Sequence, residues 1–580
     1  MKTKKSTNNC VIRIPALDSY DTSGATLMGR QSANEGFLTA WFKYTEHQEY
    51  WCMARYRNEA QVFAKLGGLV HSKMGLKPKY RWIAQNQINR ASAIGTVYLP
   101  GPQVADIAWV RRRNSVAEES AFSIVGMTHT SCELSIQDAL ANMLSAPVYL
   151  WDAQICPSLS VKTMVQRLLD DESAWLRHHL GATKIAPLQL PILPLGVNLD
   201  AFTFDEPSKK QYRNNWRSKW QLTENDVCAL YMGRLDMRTK ANLYPMFDAL
   251  NIASQKLAEE NGPKVTLILA GWFASNWDEK TIKLAAAEAC PNIKVIFEDG
   301  RIPDVRHTIW YGADLFTSLV DNIQETFGLT PIEAMASGLP VVVSDYDGYR
   351  ESVRDGVDGF RIKTYHPPAG DGGFLMDMHA DHILSYREYV NQASAFIGLN
   401  IRDAAQAYIK LAKNPELRSQ MGAEGQKRAA TYSWEKLIPS YQNLFLELQK
   451  IRESSKPQKS WNTEDGGLGL RHPRRSDPFH SFAHYPSEQI NINTILRPGP
   501  LLPKTTAERV DIIEKYLNRP VYQGISQHFD KTLLLNLINT STQSEGLTPS
   551  LIHQKNDEDA KTHLLPQISW LIKAGLLEPQ

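Results

Sequence analysis

The sequence predicts an α/β protein with two parallel-sheet layers in tandem and a smaller helical addition at the C-terminal side. Three observations carry this. Short β-branched runs alternate with stretches of helical periodicity over most of the chain, the pattern of strand–helix–strand crossovers. These runs fall into two sets, divided by PLGVNLDAF (Pro194–Phe202), which reads as a crossing between domains. The length, 580 residues, exceeds what one ordinary core holds, so two or three domains are expected.

In chain order, the first set of candidate strands is Val11–Ile14, Ile94–Tyr98, Phe122–Gly126, Val148–Leu150 with Gln154–Cys156, and Gln189–Leu193. The second is Val227–Met232, Val265–Ala270, Lys294–Phe297, Leu315–Ser318 and Pro340–Ser344. Helical patterns fall between them, among them Asn34–Tyr44, Ser160–Leu169, Leu243–Glu259 and Thr281–Ala289. A further helix, Trp434–Ile451, closes the second set. Composition then shifts: Ser454–Pro503 is rich in Pro, Gly, Ser, Arg and His without sustained periodicity, and reads as a linker or extended wrap. Beyond it, Ala507–Leu517, Lys531–Ile538 and Ala560–Lys573 look helical. The expected division is 1–195, 196–433, a closing helix over 434–455, a linker over 456–505 and an accessory domain over 506–580.

Apolar residues make up 43% and charged residues 22%, the balance of a globular protein. A net charge of +2 gives no global field toward nucleic acid. The 6 cysteines form no CxxC pair, which fits a reducing compartment better than a zinc ribbon or disulfide scaffold. Neither a signal peptide nor a long apolar span is apparent. The expectation is a cytoplasmic enzyme, with room for peripheral contact at the inner membrane face.

The stretch QETFGLTPIEAMASGLPVVVSD (Gln324–Asp345) concentrates the chemistry. Thr330-Pro331-Ile332-Glu333 has the form of a capping box with proline at the first helical position. Gly338 suits a left-handed helix end, Pro340 stops continuation, and Val341–Val343 reads as a buried strand. Phe327–Thr330 is then a strand-to-helix turn, where free amides and the helix dipole favour a phosphate. Local pattern gives Glu333 a capping task and gives Glu325 none.

Glu325 and Glu333, with seven residues between them, resemble the E-x7-E signature of retaining glycosyltransferases of family 4, which have the GT-B fold. Tyr231-Met232-Gly233-Arg234-Leu235 followed by Lys240 resembles that family's Gly-Arg-Leu…Lys segment. Gly348–Glu351 with Asp355–Phe360, the helices of MGAEGQKRAATYSW (Met421–Trp434), and PLGVNLDAF resemble further family segments, in order. The resemblance implies two Rossmann-like domains facing across a cleft, here with a small helical extension. It implies transfer of a sugar from a UDP or GDP sugar to a glycan or lipid-linked acceptor, with no further cofactor and no metal. Glu325 would bind hydroxyls of the donor sugar. Amides of Phe327, Gly328 and Leu329, with Thr330, would hold the diphosphate. Glu333 would take the ribose hydroxyls, since a carboxylate can grip a vicinal diol. Arg234 and Lys240 would neutralise the leaving diphosphate. Here the family's usual loop reads Leu319–Gly328 with Asp321 and Asn322 inserted, either as sugar-selecting groups or as turn formers.

The first half matches less closely. Ser23-Gly24-Ala25 through Gly29-Arg30-Gln31 stands where a glycine-rich loop is expected, without the usual Gly-Gly pair. Gly29 and Arg30 are placed beside donor phosphate or an anionic acceptor. His129, in GMTHTSC, resembles the histidine that follows an N-terminal-domain strand in such enzymes; Asp152, in WDAQICPSLSVKTMV, reads as structural. Asp377, His379, Asp381 and His382 lie in MDMHADHI without a partner cluster, so no metal site is assigned. They belong to an apparent insertion over 365–400. The terminal LLPQISWLIKAGLLEP reads as a packed helix and hairpin-like end; a winged-helix module is conceivable, but no basic recognition face supports nucleic-acid binding. Arg471, Arg474 and Arg475 suit a solvated linker, or a touch on anionic lipid or polysaccharide. The expected setting is polysaccharide, glycolipid or other glycoconjugate biosynthesis. Two rival functions stand beside it: a nucleotide-sugar epimerase, which shares the GT-B fold but against which E-x7-E with Gly-Arg-Leu…Lys counts, and a non-catalytic sugar- or polysaccharide-binding member of an envelope assembly, against which Arg234, Lys240, Glu325 and Glu333 together count.

Overall fold

The structure, a computed structural model, describes residues 9–20, 29–114, 119–455, 472–475, 477–522, 524–525, 528–542, 546–550 and 564–580. They form two compact units; the second begins at Pro473.

The first unit holds two six-stranded sheets. Sheet one comprises β1 (Val11–Ile14), β2 (Glu49–Ala54), β3 (Lys79–Ala84), β4 (Thr96–Leu99), β5 (Ser123–Met127) and β6 (Ala153–Ile155). Sheet two comprises β7 (Val227–Met232), β8 (Val265–Gly271), β9 (Lys294–Asp299), β10 (Leu315–Ser318), β11 (Val341–Ser344) and β12 (Gly359–Ile362). The orders are β3-β2-β1-β4-β5-β6 and β12-β11-β10-β7-β8-β9, and every pairing is parallel. Each sheet therefore has the doubly wound order, with its switch point between β1 and β4 or between β7 and β10. This is the two-sheet α/β architecture of the GT-B fold. β7, β8 and β11 are buried on both faces, which is why they read as unbroken apolar runs.

The flanking helices of sheet one are α1 (Gly29–Tyr44), α2 (Arg57–Lys73), α3 (Val104–Asn114), α4 (Leu134–Ala141) and α5 (Leu159–Leu180). Those around sheet two are α6 (Glu206–Lys219), α7 (Tyr244–Glu259), α8 (Asn276–Ala289), α9 (Pro303–Thr308), α10 (Leu329–Ala336) and α11 (Tyr349–Ser352). An antiparallel pair, β13 (Thr364–Tyr365) with β14 (Gly398–Leu399), closes the base of the insertion, which carries α12 (Gly373–Ala380) and α13 (Tyr386–Ala395). Next come α14 (Ile401–Lys413), α15 (Pro415–Ala429) and α16 (Trp434–Ser454).

The chain crosses between the sheets twice, and the crossings touch. The Val197 amide donates to the Tyr432 carbonyl at 2.9 Å, and Val197 bridges Ser433. Trp434 then packs on Phe37 of α1, with ring centroids 5.8 Å apart, and α16 runs back along sheet one. Its far end is fixed by Arg452, which donates to the Gly95 carbonyl and, at 2.8 Å, to Ser123 Oγ.

The strand expectations need three corrections. Val148–Leu150 is a loop and turn, whose Tyr149 amide donates to Asp152 Oδ2 at 2.9 Å. Gln189–Leu193 makes only the bridges Ala153↔Gln189 and Cys156↔Ile192, because Pro187, Pro191 and Pro194 interrupt any ladder. β2, β3 and β12 were not foreseen; β3 and β12 are edge strands, and β3 carries the exposed Lys79 and Arg81, so its pattern lacks an apolar run. The six cysteines are all free and buried.

In the second unit, helices Thr506–Leu517, Lys531–Ser541 and Leu564–Lys573 enclose a core that includes Ile513, Leu534, Leu537, Ile568 and Leu571. Leu577–Pro579 pairs antiparallel with Leu496–Pro498, so the last strand finds a distant partner rather than a local hairpin. Leu496 lies in the stretch expected to be linker, yet it is fully buried in this core. The expected helix start at 560–563 and the linker residues 456–471, Arg471 among them, and 476 lie outside the described residues.

A buried ion pair anchors sheet one. Arg111 Nη1 and Nη2 donate to the Asp152 carboxylate at 2.7 and 2.8 Å, and both side chains are shut from water. Asp152 also accepts from the Ile124 and Tyr149 amides, and Arg111 from its side donates to the Phe122 and Pro147 carbonyls. Asp152→Ala strands a buried guanidinium and is expected to cost about 3–5 kcal/mol, read as a shift of the first unit's unfolding midpoint in urea.

Candidate active site

The loops leaving β7 and β10 stand at the switch point of sheet two, the place where open α/β sheets bind ligands at the strands' carboxyl ends. The first loop carries Arg234 and Lys240 and the second carries Glu325. Lys240 Nζ lies 2.6 Å from Glu325 Oε2, with the side chains 23% and 13% exposed. Burial alone pushes Glu325 up, but the Lys240 charge and hydrogen bond, with the Thr326 and Phe327 amides, hold it below the usual carboxylate range. Burial lowers Lys240, and Glu325 more than restores it, so the ammonium is held. Both groups are therefore charged at neutral pH.

The two loops interlock beyond this pair. Asn322 Nδ2 donates to the Lys240 carbonyl, Gln324 Nε2 to the Thr239 carbonyl at 3.1 Å, and the Asn242 amide to Asp321 Oδ1 at 3.2 Å. Asn322 Oδ1 also accepts from the Gln324 amide at 3.0 Å, the turn-forming task that sequence left open. Arg234 Nη2 donates to Thr239 Oγ1 at 3.0 Å, and Thr239 Oγ1 donates to Asp236 Oδ2 at 2.6 Å.

The turn into α10 is built on glycine. Gly328, with φ of 78°, is the N-cap of α10, and no side chain caps it. A Cβ there would overlap the Tyr349 ring, and one at Gly348 would overlap the Phe327 backbone, so the turn lies directly on the loop after β11. The helix begins at Leu329, and the expected capping box at Thr330–Glu333 is absent. Glu333 sits inside α10, free of that task. Burial pushes its carboxyl up to about 7, against the opposing charge of Arg306, and no hydrogen bond to the carboxylate is made among the described residues. Gly338 has φ of 86°, as the sequence suggested.

Sheet one faces this turn through His129 and α5. Thr326 Oγ1 donates to the His129 carbonyl at 3.2 Å, and Ser158 Oγ donates to the Thr326 carbonyl at 2.9 Å. The Leu159 amide, at the start of α5, donates to Glu351 Oε1 at 2.6 Å. Asn34 Nδ2 donates to the Ser19 carbonyl, which turns Oδ1 toward His129; the imidazole Nε2 then carries the hydrogen and donates at 2.8 Å. Burial, and the nearby Arg30 charge, push His129 down to about 3, so it is neutral at physiological pH. Gly29 and Arg30 open α1 and are exposed. Ser23–Ala25 lie outside the described residues.

Sequence reasoning gave the insertion a part in shaping the donor or acceptor pocket but singled out neither Tyr386 nor Arg387. Tyr386 OH donates to Gln324 Oε1 at 2.7 Å and lies 3.4 Å from Cys132 Sγ of sheet one's side. Arg387 Nη2 donates to Asp236 Oδ2 at 3.0 Å, so it acts through Asp236 and Thr239 on Arg234. The acid–histidine run is occupied structurally: His379 Nδ1 is 2.9 Å from the Leu384 carbonyl, and its ring stacks on Tyr389. Among the described residues, no group of His, Cys, Asp and Glu stands where it would hold a metal, and no helix is long and apolar enough to cross a membrane.

The family model "Glycosyl transferases group 1" matches residues 212–369, the segment that holds both loops and α10. The chain is 26% identical over 273 residues to a D-inositol 3-phosphate glycosyltransferase of Thermobifida fusca (strain YX), covering 46% of this chain and 51% of that one. It is 24% identical over 313 residues to a phosphatidyl-myo-inositol mannosyltransferase of Mycobacterium leprae (strain TN), covering 54% and 63%. The chain thus spans about half the length of the curated relatives it matches, and up to 63% of it. Among solved structures, a glycosyltransferase from Rickettsia africae ESF-5 aligns at a TM-score of 0.47 and 13% identity, covering 78% of this chain and 100% of that one. The segment around the β7–β10 switch point is therefore similar to group 1 glycosyl transferases.

Arg387→Ala removes one of the hydrogen bonds to a carboxylate that is shut from water, while the guanidinium itself is 39% exposed. It is expected to lower stability by about 1 kcal/mol, read as a fall in thermal midpoint; Arg387→Lys recovers only part, because the guanidinium fork is lost.

Proposed function

We propose that this protein is a retaining glycosyltransferase that moves a sugar from a UDP or GDP sugar to a hydroxyl acceptor, a glycan or a lipid-linked sugar, in glycoconjugate synthesis. The observation that carries the reading is the Lys240–Glu325 pair at the β7–β10 switch point, beside the uncapped glycine turn into α10. The match of residues 212–369 to group 1 glycosyl transferases supports it.

In this reading the amides of Phe327, Gly328 and Leu329, with Thr330, seat the diphosphate at the positive end of α10. Arg234 and Lys240 offset the negative charge that grows on it as the glycosidic bond breaks. Glu325, ionised, accepts hydrogen bonds from hydroxyls of the donor sugar. Glu333 accepts from the ribose hydroxyls with a carboxylate that no donor among the described residues engages. His129 contacts the sugar as a neutral imidazole, and Gly29 and Arg30 meet phosphate or an anionic acceptor. The acceptor hydroxyl attacks from the face that the leaving phosphate departs, and that phosphate takes the proton; no protein base is required. The enzyme works in the cytoplasm, with peripheral contact at the inner membrane face where the acceptor is lipid-linked.

Turnover tests the reading. Nucleotide diphosphate is expected to be released from UDP-glucose or GDP-mannose only when an acceptor is supplied; epimerised donor without acceptor, or binding without turnover, would instead favour a rival. A matching nucleotide at a hundred times its dissociation constant is expected to stabilise the protein by about 2.7 kcal/mol in a panel of UDP, GDP and ADP. No shift with any of the three counts against a nucleotide site.

Glu333 gives a pH-dependent test. Its folded pKa, raised to about 7 from 4.5, means that the ionised form is disfavoured by folding. Its stability contribution is full below the unfolded value and falls as pH rises through 7. Glu333→Gln is therefore expected to raise the thermal midpoint at pH 8 and leave it unchanged near pH 4, while nucleotide affinity drops about tenfold. In the wild type, nucleotide affinity is expected to rise with pH between about 6 and 8, as the carboxylate forms. A substitution that changes stability but not affinity leaves Glu333 no ribose task.

A further inference from the structure

Asp347, in the loop after β11, stands apart from every role given so far. It is one of the few described residues other than glycine with positive φ, 44°. Aspartate tolerates that region better than most residues, but glycine alone adopts it freely. The Gly348 amide favours the ionised carboxyl. Its Oδ2 is closed off from water and has no hydrogen-bond partner among the described residues. A turn-forming role explains the backbone and leaves Oδ2 unexplained.

The neighbours place this oxygen. Gly348 lies on the Phe327 backbone and the Tyr349 ring lies on Gly328, so Asp347 directly precedes the residues that pack on the glycine turn. Tyr349 OH also meets Ser318 Oγ at 3.0 Å, at the end of β10. The charged and titratable groups facing Asp347 are Glu325 and Lys240 from the interlocked loops, Glu351 and Tyr349 of α11, and Tyr346 of its own loop. Burial first, then the Glu325 and Glu351 charges, push its carboxyl up to about 8, against the Gly348 amide and Lys240. At neutral pH it is a carboxylic acid, able to donate as well as accept.

We infer that Asp347 is a donor-sugar contact: its Oδ2, without a partner among the described residues, takes a hydroxyl of the transferred sugar once that sugar displaces the side chains that close it off, alongside Glu325, and so helps to select which sugar is transferred. The inference rests on the nucleotide-sugar reading above. Two of its charged neighbours, Glu325 and Glu351, are anions, and the third, Lys240, is already paired with Glu325, so Asp347 meets the sugar rather than the diphosphate. A neutral carboxyl adds a hydrogen bond there without adding a further negative charge near the leaving phosphate.

Asp347→Gly separates the two tasks, since it relieves the backbone while removing the carboxyl. The probes are UDP, UDP-glucose, GDP and GDP-mannose, each titrated against the full chain by calorimetry. The expected result is a thermal midpoint equal to or above wild type, unchanged affinity for the free nucleotide diphosphate, and about tenfold weaker binding of its sugar. Asp347→Asn keeps a donor and is expected to lose less. It also loses the fall in sugar-nucleotide affinity, measured relative to the free nucleotide so that the Glu333 effect cancels, that the wild type shows as pH rises from about 7 to 9, which a purely structural aspartate would not produce. The inference is overturned if Asp347→Gly binds nucleotide sugar within twofold of wild type, or loses nucleotide and nucleotide sugar equally. If wild type binds none of the four probes, the donor reading itself fails, and this contact with it.

Discussion

The ion pair between Lys240 and Glu325 joins the loop after β7 to the loop after β10, and the geometry of the candidate site depends on that joint. Each charge alone would be expensive to hold so far from water; together they keep one another ionised. The pair also fixes the loops against each other, because the hydrogen bonds from Asn322, Gln324 and Asn242 run across the same seam. The contact thus clasps the two loops together. In the proposed reading, an anion on the glycine turn gives Lys240 a second negative neighbour and frees Glu325 to accept from hydroxyls.

Much of the fold was legible because parallel strands buried on both faces leave unbroken apolar runs. β1, β7 and β10 fall at the expected residues. The edges were less legible: β3 alternates exposed polar residues, and nothing local distinguishes it from a loop. At the site, the resemblance brought Arg234, Lys240, Glu325 and Glu333 to one place, but not the contact between Lys240 and Glu325, which are 85 residues apart. Glu333 shows where local reading fails. Thr-Pro-Ile-Glu has the form of a helix start, yet Gly328, pressed against Tyr349, sets the start at Leu329 instead. Tertiary packing chose the boundary, and so released a carboxylate that sequence had assigned to capping.

The insertion carried no motif, and its effect comes through neighbours. Tyr386 reaches Gln324 next to Glu325, and Arg387 reaches Asp236 behind Arg234. Adjacent residues at the start of α13 thus brace both sides of the interlocked seam. Asp347 was equally silent: an aspartate after a strand is ordinary in sequence, and the positive φ and an oxygen unpaired among the described residues single it out.

The two crossings between the sheets are hydrogen-bonded to each other at Val197 and Tyr432. A single strand of chain between two bodies acts as a universal joint; two strands tied side by side act as a door hinge. They permit rotation about the line that joins them and resist twisting and sliding. Any opening of sheet one from sheet two is thereby confined to one arc, and Thr326, Ser158 and His129 would part and meet again along the same path each time.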